Sequence, residues 1–326
     1  FYHADKRARI VPVRHRAPEA RLTRNLPFRL NTGRLRDQWH TMTRTALSPR
    51  LSAHLPEPFV DMHPEDAARL QLKPADLVRL SNDCGSAILR LRESSEVQPG
   101  ALFAPMHWTG ENAPASRIDA LVPSVTDPLS GQPESKAASV RAERFAAQWY
   151  GFAIAQDRFS PDCEYWAMAR THTGWRAELA GTDRPADPDS WARALFDLPD
   201  ASAQVMRDDA RGSFRMALFD GETLLAAVYL GRRPVSLMRD FLVGLPGSDA
   251  AWVLAGQSRG DMPDPGPVVC SCFSIGRNTI RRAIESKGLT SIEQIGGATS
   301  AGTNCGSCKA ELGQILAAAA LTESAE

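Results

Sequence analysis

The sequence predicts a multidomain α+β chain: a compact β-barrel, a mixed α/β connecting segment behind it, and a small helical module last. Three observations carry this. From Phe28 to about Val140, short apolar runs alternate with polar turns and leave room for one small helix. A Trp-rich segment with a hairpin signal follows, closed by the Pro/Gly-rich stretch DMPDPGP at 261–267, which reads as a linker. After it come about 60 residues of helical period that contain four of the chain's six cysteines.

Taken in order, residues 1–25 are basic and non-periodic and read as a linker. Residues 1–50 carry 12 Lys/Arg against three acids, although the whole chain has net charge zero. No nucleic-acid module accompanies this basic segment, so no nucleic-acid partner is expected; a phosphate-bearing cofactor or a partner surface accounts for it. The first residue is not Met, and Phe1–Arg7 lacks the apolar core of a secretory signal. The expectation is a chain that begins inside a longer protein, in the cytoplasm. No apolar run approaches the roughly 20 residues that span a bilayer, so no membrane is expected. Hydrophobic content of 43% and charged content of 23% are those of a folded protein.

In the barrel region, 26–142, HPEDAARLQL (63–72) has a helix start, with Pro64 in the first turn followed by Glu65 and Asp66. KPAD is a turn, LVRLS and AILRLR form a hairpin around Gly85, and ALFAPMHW is a further strand after VQPG. The connecting segment, 145–262, carries Trp149, Trp166, Trp175 and Trp191, and Asp220-Gly221 between two apolar runs signals a hairpin. It shows no chemistry of its own, and Asp157, Asp162 and Glu164 read as a solvated charged loop. In the module, 268–320, Ile280, Ala283 and Ile284 share one helix face, and Gly288 supplies the stop. Ser291 and Gln294 match a capping box before a second helix.

The chemistry starts at VVCSCFSIGR (268–277). Cys270 and Cys272 stand one residue apart, a spacing poorly suited to a disulfide. AGTNCGSC adds Cys305 and Cys308, spaced C-x-x-C. Four thiolates gathered by a small fold suit zinc or iron–sulfur chemistry. Zinc ribbons usually pair two C-x₂₋₄-C knuckles, from which C-x-C departs. Cys308 opens the last helix, whose N-terminus favours a thiolate, and Arg277, Arg281, Arg282 and Lys309 lie close in sequence to offset the charge. Cys84, in a hairpin turn, and Cys163 read as free thiols.

A second candidate site is RLNTGRLRDQWHTMTRT (29–45). Asn31-Thr32-Gly33-Arg34 follows a short strand, the glycine allows close backbone approach, and His40, Thr41, Thr43 and Arg44 add donors suited to phosphate or heterocycle edges. A basic loop over a buried Trp39 is the alternative.

The cysteine spacing, C-x-C, then 32 residues, then C-x-x-C, resembles the bacterioferritin-associated ferredoxin-like 2Fe-2S domain over 268–318. The T-G-R-x-x-x-x-W-H-T-x-T loop resembles the molybdopterin-dinucleotide-binding domain of the dimethyl sulfoxide reductase family, in particular assimilatory nitrate reductases. That similarity runs on through LSAHLPEPFVDMHPEDAARLQL and FAPMHWTGENA to VTDPLSGQPESK. It implies a double-psi β-barrel closing over bis-molybdopterin guanine dinucleotide with molybdenum, contacted by Thr32, Gly33, Arg34, Trp39, His40, Thr41 and Thr43, with Asn112 and Lys136 as further candidates. Asp119 and Ser135 depart from the residues usual in that family. The resemblances together imply the C-terminal portion of a nitrate reductase that converts nitrate to nitrite, with a 2Fe-2S cluster on Cys270, Cys272, Cys305 and Cys308. They also imply an NAD(P)H-dependent flavoprotein or ferredoxin as electron donor. No catalytic residue is expected in this chain, because the family's 4Fe-4S motif and molybdenum ligand lie in an N-terminal part. Other readings from the sequence are a stand-alone 2Fe-2S electron-transfer or iron-sensing module, a zinc-stabilised interaction module, and another molybdopterin oxidoreductase such as formate dehydrogenase.

Overall fold

The structure is a computed structural model and describes residues 1–12, 14–248, 252–258 and 263–323. Among the described residues, none before Phe28 is in a helix or strand. Six strands then close a barrel: β1 (Phe28–Gly33), β2 (Phe59–Met62), β3 (Leu77–Asn82), β4 (Gly85–Glu93), β5 (Ala101–Pro105) and β6 (Ala138–Arg144). They run in the order β1-β5-β2-β4-β3-β6. The β1/β5 and β2/β4 pairs are parallel, and the rest are antiparallel.

The period-two pattern of β1 turns Phe28, Leu30 and Thr32 inward. Leu30, Val60, Met62, Val78, Leu80, Leu89, Leu102 and Val140 fill the interior with them. Each such aliphatic side chain contributes roughly 1.5–3 kcal/mol on burial. Two short helices, α1 (Pro49–Ser52) and α2 (Pro64–Arg69), lie between the strands. Pro64 occupies the first turn of α2, and Asp66 behind it accepts the Gly100 amide at 2.6 Å, which ties the turn before β5 to the helix. The strand expected over ALFAPMHW stops at Pro105, a residue that cannot donate to a ladder.

The connecting segment forms a second sheet from β7 (Trp149–Ala155), β8 (Tyr165–Arg170), β9 (Trp175–Gly181), β10 (Ser202–Asp208), β11 (Ser213–Asp220) and β12 (Thr223–Gly231). The order is β10-β11-β12-β7-β9-β8, antiparallel throughout. Gly221, with φ +58°, turns the β11–β12 hairpin. Helix α3 (Pro188–Phe196) covers one face, over Trp149, Phe214 and Met216. Helix α4 (Arg239–Leu242) and neighbouring loop residues cover the other, over Phe152, Ile154 and Tyr229.

Barrel and sheet share a core in which Met42, Leu77, Ile88, Trp108 and Phe145 pack on Tyr150, Tyr165, Ala167 and Ala180. A buried ionic network reinforces this seam. Glu57 accepts from Arg90 and from the Tyr165 hydroxyl, both at 2.6 Å. Within the connecting segment, Glu178 on β9 ties α4 to the sheet, accepting from Arg239 at 2.6 and 3.0 Å and from Arg176 at 3.1 Å.

Of the 261–267 linker, residues 261 and 262 lie outside the described residues, as does the expected segment end at 262. The C-terminal segment is a ribbon of β13 (Val268–Cys270) and β14 (Ile275–Gly276) with helices α5 (Arg277–Lys287), α6 (Ile292–Thr299) and α7 (Lys309–Glu323). Its core is Val269, Ile280, Ile284, Ile295, Leu312 and Ile315, together with Cys270 and Cys308. Gly288, at φ +59°, ends α5. Ser291 caps α6 by accepting the Gln294 amide at 3.2 Å, whereas the Gln294 side chain reaches the amide of Thr290, one residue before the position a capping box prescribes. No helix among the described residues is long and apolar enough to cross a membrane.

Candidate functional site

The loop after β1 is held from beneath and open above. Thr32, buried at the end of β1, donates its hydroxyl to the Ser135 carbonyl at 3.0 Å, and Lys136 donates to the Thr32 carbonyl. Gly33 faces the Phe103 ring, where a Cβ would stand 2.5 Å from Cε2, so crowding from inside the barrel adds its own demand for glycine. Beyond it His40 and Met42 take left-handed φ values of +44° and +59°, uncommon for residues with a Cβ. The two reversals send Met42 down into the shared core and leave Arg34, Trp39, His40, Thr41 and Thr43 exposed. Trp39 is 60% exposed, so the buried-tryptophan alternative is not what forms. Its ring carries the Arg34 guanidinium 5.2 Å from the centroid and meets His40 edge-on at 4.5 Å. Thr41 and Thr43 hydroxyls are 3.1 Å apart. The surface thus offers a cation, an aromatic face and two hydroxyls in one row. Asn112 lies apart from it, buried beside Gln38, Met42 and Trp108 at a void of about 10 Å³, the size of one water.

Two histidines that the motif did not reveal support this loop. His107 is fully buried; its Nε2 accepts the Leu35 amide at 2.8 Å, and its Nδ1 lies 2.6 Å from the His40 carbonyl. An acceptor at Nε2 and a carbonyl facing Nδ1 require the neutral ring with its proton on Nδ1. Burial lowers the His107 pKa, and the charges of Arg34 and His40 add to the effect. His54, after α1, lies 2.6 Å from Asp37 and 3.5 Å from Glu311 on α7. Burial works against its charge, but Asp37 and Glu311 outweigh that and raise its pKa.

The two shifts act on stability in opposite directions around the ordinary value of 6.5. The raised His54 contributes fully below 6.5, and its contribution is lost as pH rises through its folded value. The lowered His107 contributes fully above 6.5, and its contribution is lost as pH falls through its folded value. Amides 35–42 are therefore expected to exchange hydrogen slowest near pH 6.5, after correction for intrinsic rates. His54→Gln removes the alkaline arm of that profile and His107→Gln the acid arm; a parent profile that changes in one direction only contradicts the assignment.

The four module cysteines come together as two pairs. Cys272 and Cys305 sulfurs are 3.3 Å apart on the more exposed side, while Cys270 and Cys308 are buried and interact with each other. Burial and the neighbouring Cys270 push the Cys308 thiol up to about 11, whereas the Ser307 hydroxyl and amide lower Cys305. Among the described residues no three His, Cys, Asp or Glu side chains converge on one metal ion. A two-iron cluster is held by four cysteines, two for each iron, so a pairwise arrangement fits it better than a single zinc ion.

Of the four basic residues close in sequence to the cysteines, Lys309 packs its side chain beside Gly302 and Gly306, next to Cys305, and the three arginines have other partners. Arg277 pairs with Glu311, Arg281 with Glu285, and Arg282 donates to the Asp264 carbonyl. Cys84 is exposed in its turn, and Cys163 donates to the Tyr165 carbonyl with its thiol pushed up to about 12 by burial. Glu164 accepts from the Thr182 amide at 3.0 Å, and Asp162 lines an open surface cleft, consistent with a structural role for that acidic stretch.

The chain thus joins a closed barrel with an exposed polar loop to a module with paired cysteines. Residues 28–139 match the family described as "Molydopterin dinucleotide binding domain", and residues 268–318 match the "BFD-like [2Fe-2S] binding domain". The chain carries a molybdopterin-dinucleotide-binding domain followed by a BFD-like 2Fe-2S-binding domain. It is similar over 97% of its length, at 32% identity, to a nitrate reductase of Klebsiella oxytoca, of which it spans 37%. The assimilatory nitrate reductase catalytic subunit of Bacillus subtilis is 29% identical over 43% of this chain and 20% of its own. The alpha subunit of a formate dehydrogenase from Methanocaldococcus jannaschii is 30% identical over 44% of this chain and 21% of its own.

Proposed function

We propose that the chain is the C-terminal part of a cytoplasmic, molybdenum-dependent assimilatory nitrate reductase, in which it completes the pterin site and relays electrons. The observation that carries this is the pairing of both cofactor domains on one chain that aligns with the Klebsiella nitrate reductase over 97% of its length, against 44% for the formate dehydrogenase. The proposed division is a leading linker at 1–25, a double-psi barrel at 26–142, a connecting α+β domain at 145–262 and a small helical 2Fe-2S domain at 268–320. The parallel β1/β5 and β2/β4 pairs inside the closed barrel support the double-psi reading.

In this reading Arg34, Thr41 and Thr43 bind the dinucleotide phosphates, and Trp39 and His40 flank its heterocycle. Thr32, Gly33 and Lys136 set the loop's height on the barrel, while Asn112 supports it from the buried side. Cys270, Cys272, Cys305 and Cys308 hold the 2Fe-2S group. When bound, the pterin-held molybdenum supplies oxygen-atom transfer and the 2Fe-2S group single-electron storage. The chain's own work is to bind and orient: Met42, Trp108 and Tyr165 form the buried base of the loop, and the ribbon and α7 bury one thiol pair. Electrons come from an NAD(P)H-dependent flavoprotein or ferredoxin, and the 4Fe-4S cluster belongs to the upstream part. The whole protein that contains this chain, assayed with reduced viologen, is expected to consume it in the presence of nitrate. Formate-driven viologen reduction without nitrate turnover would overturn the assignment.

A further inference from the structure

The pterin loop and the cysteine module meet at one cluster of charges, and a single arginine touches both. Arg36, two residues beyond Arg34, donates from Nη2 to the Val269 carbonyl at 2.5 Å and pairs through Nη1 with Glu311 at 3.1 Å. Its Nη2 is also 3.0 Å from His54, and its Nε lies 3.2 Å from Asp37. Arg277 of α5 reaches Glu311 from the module's own side at 3.3 Å. The side chains of Arg36, Asp37, His54 and Glu311 are all at most one-fifth exposed. One turn along α7, Gln314 donates to Glu96 beyond β4 at 2.8 Å, a second tie between module and barrel.

Val269 immediately precedes Cys270, so the guanidinium is fixed on the main chain of the strand that carries the first thiolate. Arg277 shares Glu311 with Arg36, Arg281 pairs with Glu285, Arg282 is directed at a carbonyl, and Lys309 packs beside Gly302 and Gly306; of these cations only Arg36 comes from the barrel. A guanidinium offers a planar fork of donors, which suits a contact shared between a carbonyl and a carboxylate.

We propose that Arg36 is a positioning residue for electron transfer: it clasps the cysteine module to the pterin loop and supplies the positive charge that tunes the 2Fe-2S potential. This rests on the electron-relay reading above. In that relay each transfer would bring one electron from the flavoprotein or ferredoxin to the 2Fe-2S group and pass one on toward the upstream 4Fe-4S cluster. No bond forms or breaks in the chain. Reduction adds a negative charge to a four-thiolate centre, so a nearby cation favours the reduced state and its removal lowers the potential.

The test uses the whole cluster-loaded protein, with the potential read by an EPR-monitored redox titration and the clasp by hydrogen exchange over 34–44 and 268–272. Arg36→Met is expected to lower the potential and to lose amide protection in both segments. Arg36→Lys keeps the charge but cannot span carbonyl and carboxylate together, so protection is lost while the potential stays close to the parent's. Glu311→Gln removes a negative charge, raising the potential while loosening the same amides. Purely structural damage would move the methionine and lysine variants alike, and that result overturns the proposal. A parent protein with no 2Fe-2S signal overturns the electron-relay reading and this inference with it. A normal signal whose potential ignores Arg36→Met overturns this inference alone.

Discussion

Cys270→Ser is expected to abolish the visible absorption of the chain and to take its iron content to background, whereas Cys84→Ser leaves both unchanged. Cys270 lies in the module core against Ile280, Ile284 and Leu312, so its loss has two parts. One of four ligands disappears, and a hydroxyl replaces a thiol in a buried apolar site, where an unsatisfied polar group costs about 1–3 kcal/mol. Cys308→Ser should act in the same way, since it is buried in the same pair. Cys305→Ser removes a ligand from the exposed side without the burial penalty, so it should lose iron but keep more of the module's helicity. Far-UV circular dichroism alongside iron analysis separates the two parts. Full iron in Cys270→Ser would mean that the ligand set is wrong.

The second large effect falls on Glu178, which no cofactor is proposed to touch. Burial alone would raise its carboxyl, but Arg239 and then Arg176 overcome this and hold it at about 2. Glu178→Ala leaves two largely buried arginines without their shared partner, and breaking a buried pair this way costs about 3–5 kcal/mol. Tryptophan fluorescence in urea measures this well, because Trp149, Trp166 and Trp175 lie in the sheet that carries Glu178. The linkage has a definite sign. The lowered carboxyl contributes fully above its ordinary 4.5, and the contribution disappears as pH falls toward about 2. The parent should therefore lose the advantage over Glu178→Ala across that acid window. A variant with the parent's urea midpoint at pH 7 would show that Glu178 does not hold α4 to the sheet.

Much of this architecture is local and was readable from the sequence. Pro64 opens α2, Gly85 and Gly221 sit at hairpin turns, and Gly288 stops α5, because each effect depends on neighbours a few residues away. The four module cysteines were likewise visible as spacing. What the sequence withheld depends on long-range placement. Nothing near His107 announces that its ring would clamp the loop between Leu35 and His40, some 70 residues earlier. Arg277, Arg281, Arg282 and Lys309 are visible as cations because they are close to the cysteines in sequence. Arg36 is not: the fold brings it to the ribbon from the barrel, 233 residues away from Val269. Trp39 was ambiguous for a related reason: a single aromatic residue in a basic loop carries no periodicity, and only the reversals at His40 and Met42 decide that it faces out.

The central claim, that one chain joins a pterin-binding barrel to a 2Fe-2S relay, is tested most directly by metal and acid-labile sulfide analysis of the purified protein, followed by EPR after dithionite reduction. The account predicts about two iron and two sulfide per chain and a signal of spin one-half that appears on reduction. Zinc in place of iron, with no sulfide and no signal, would contradict it.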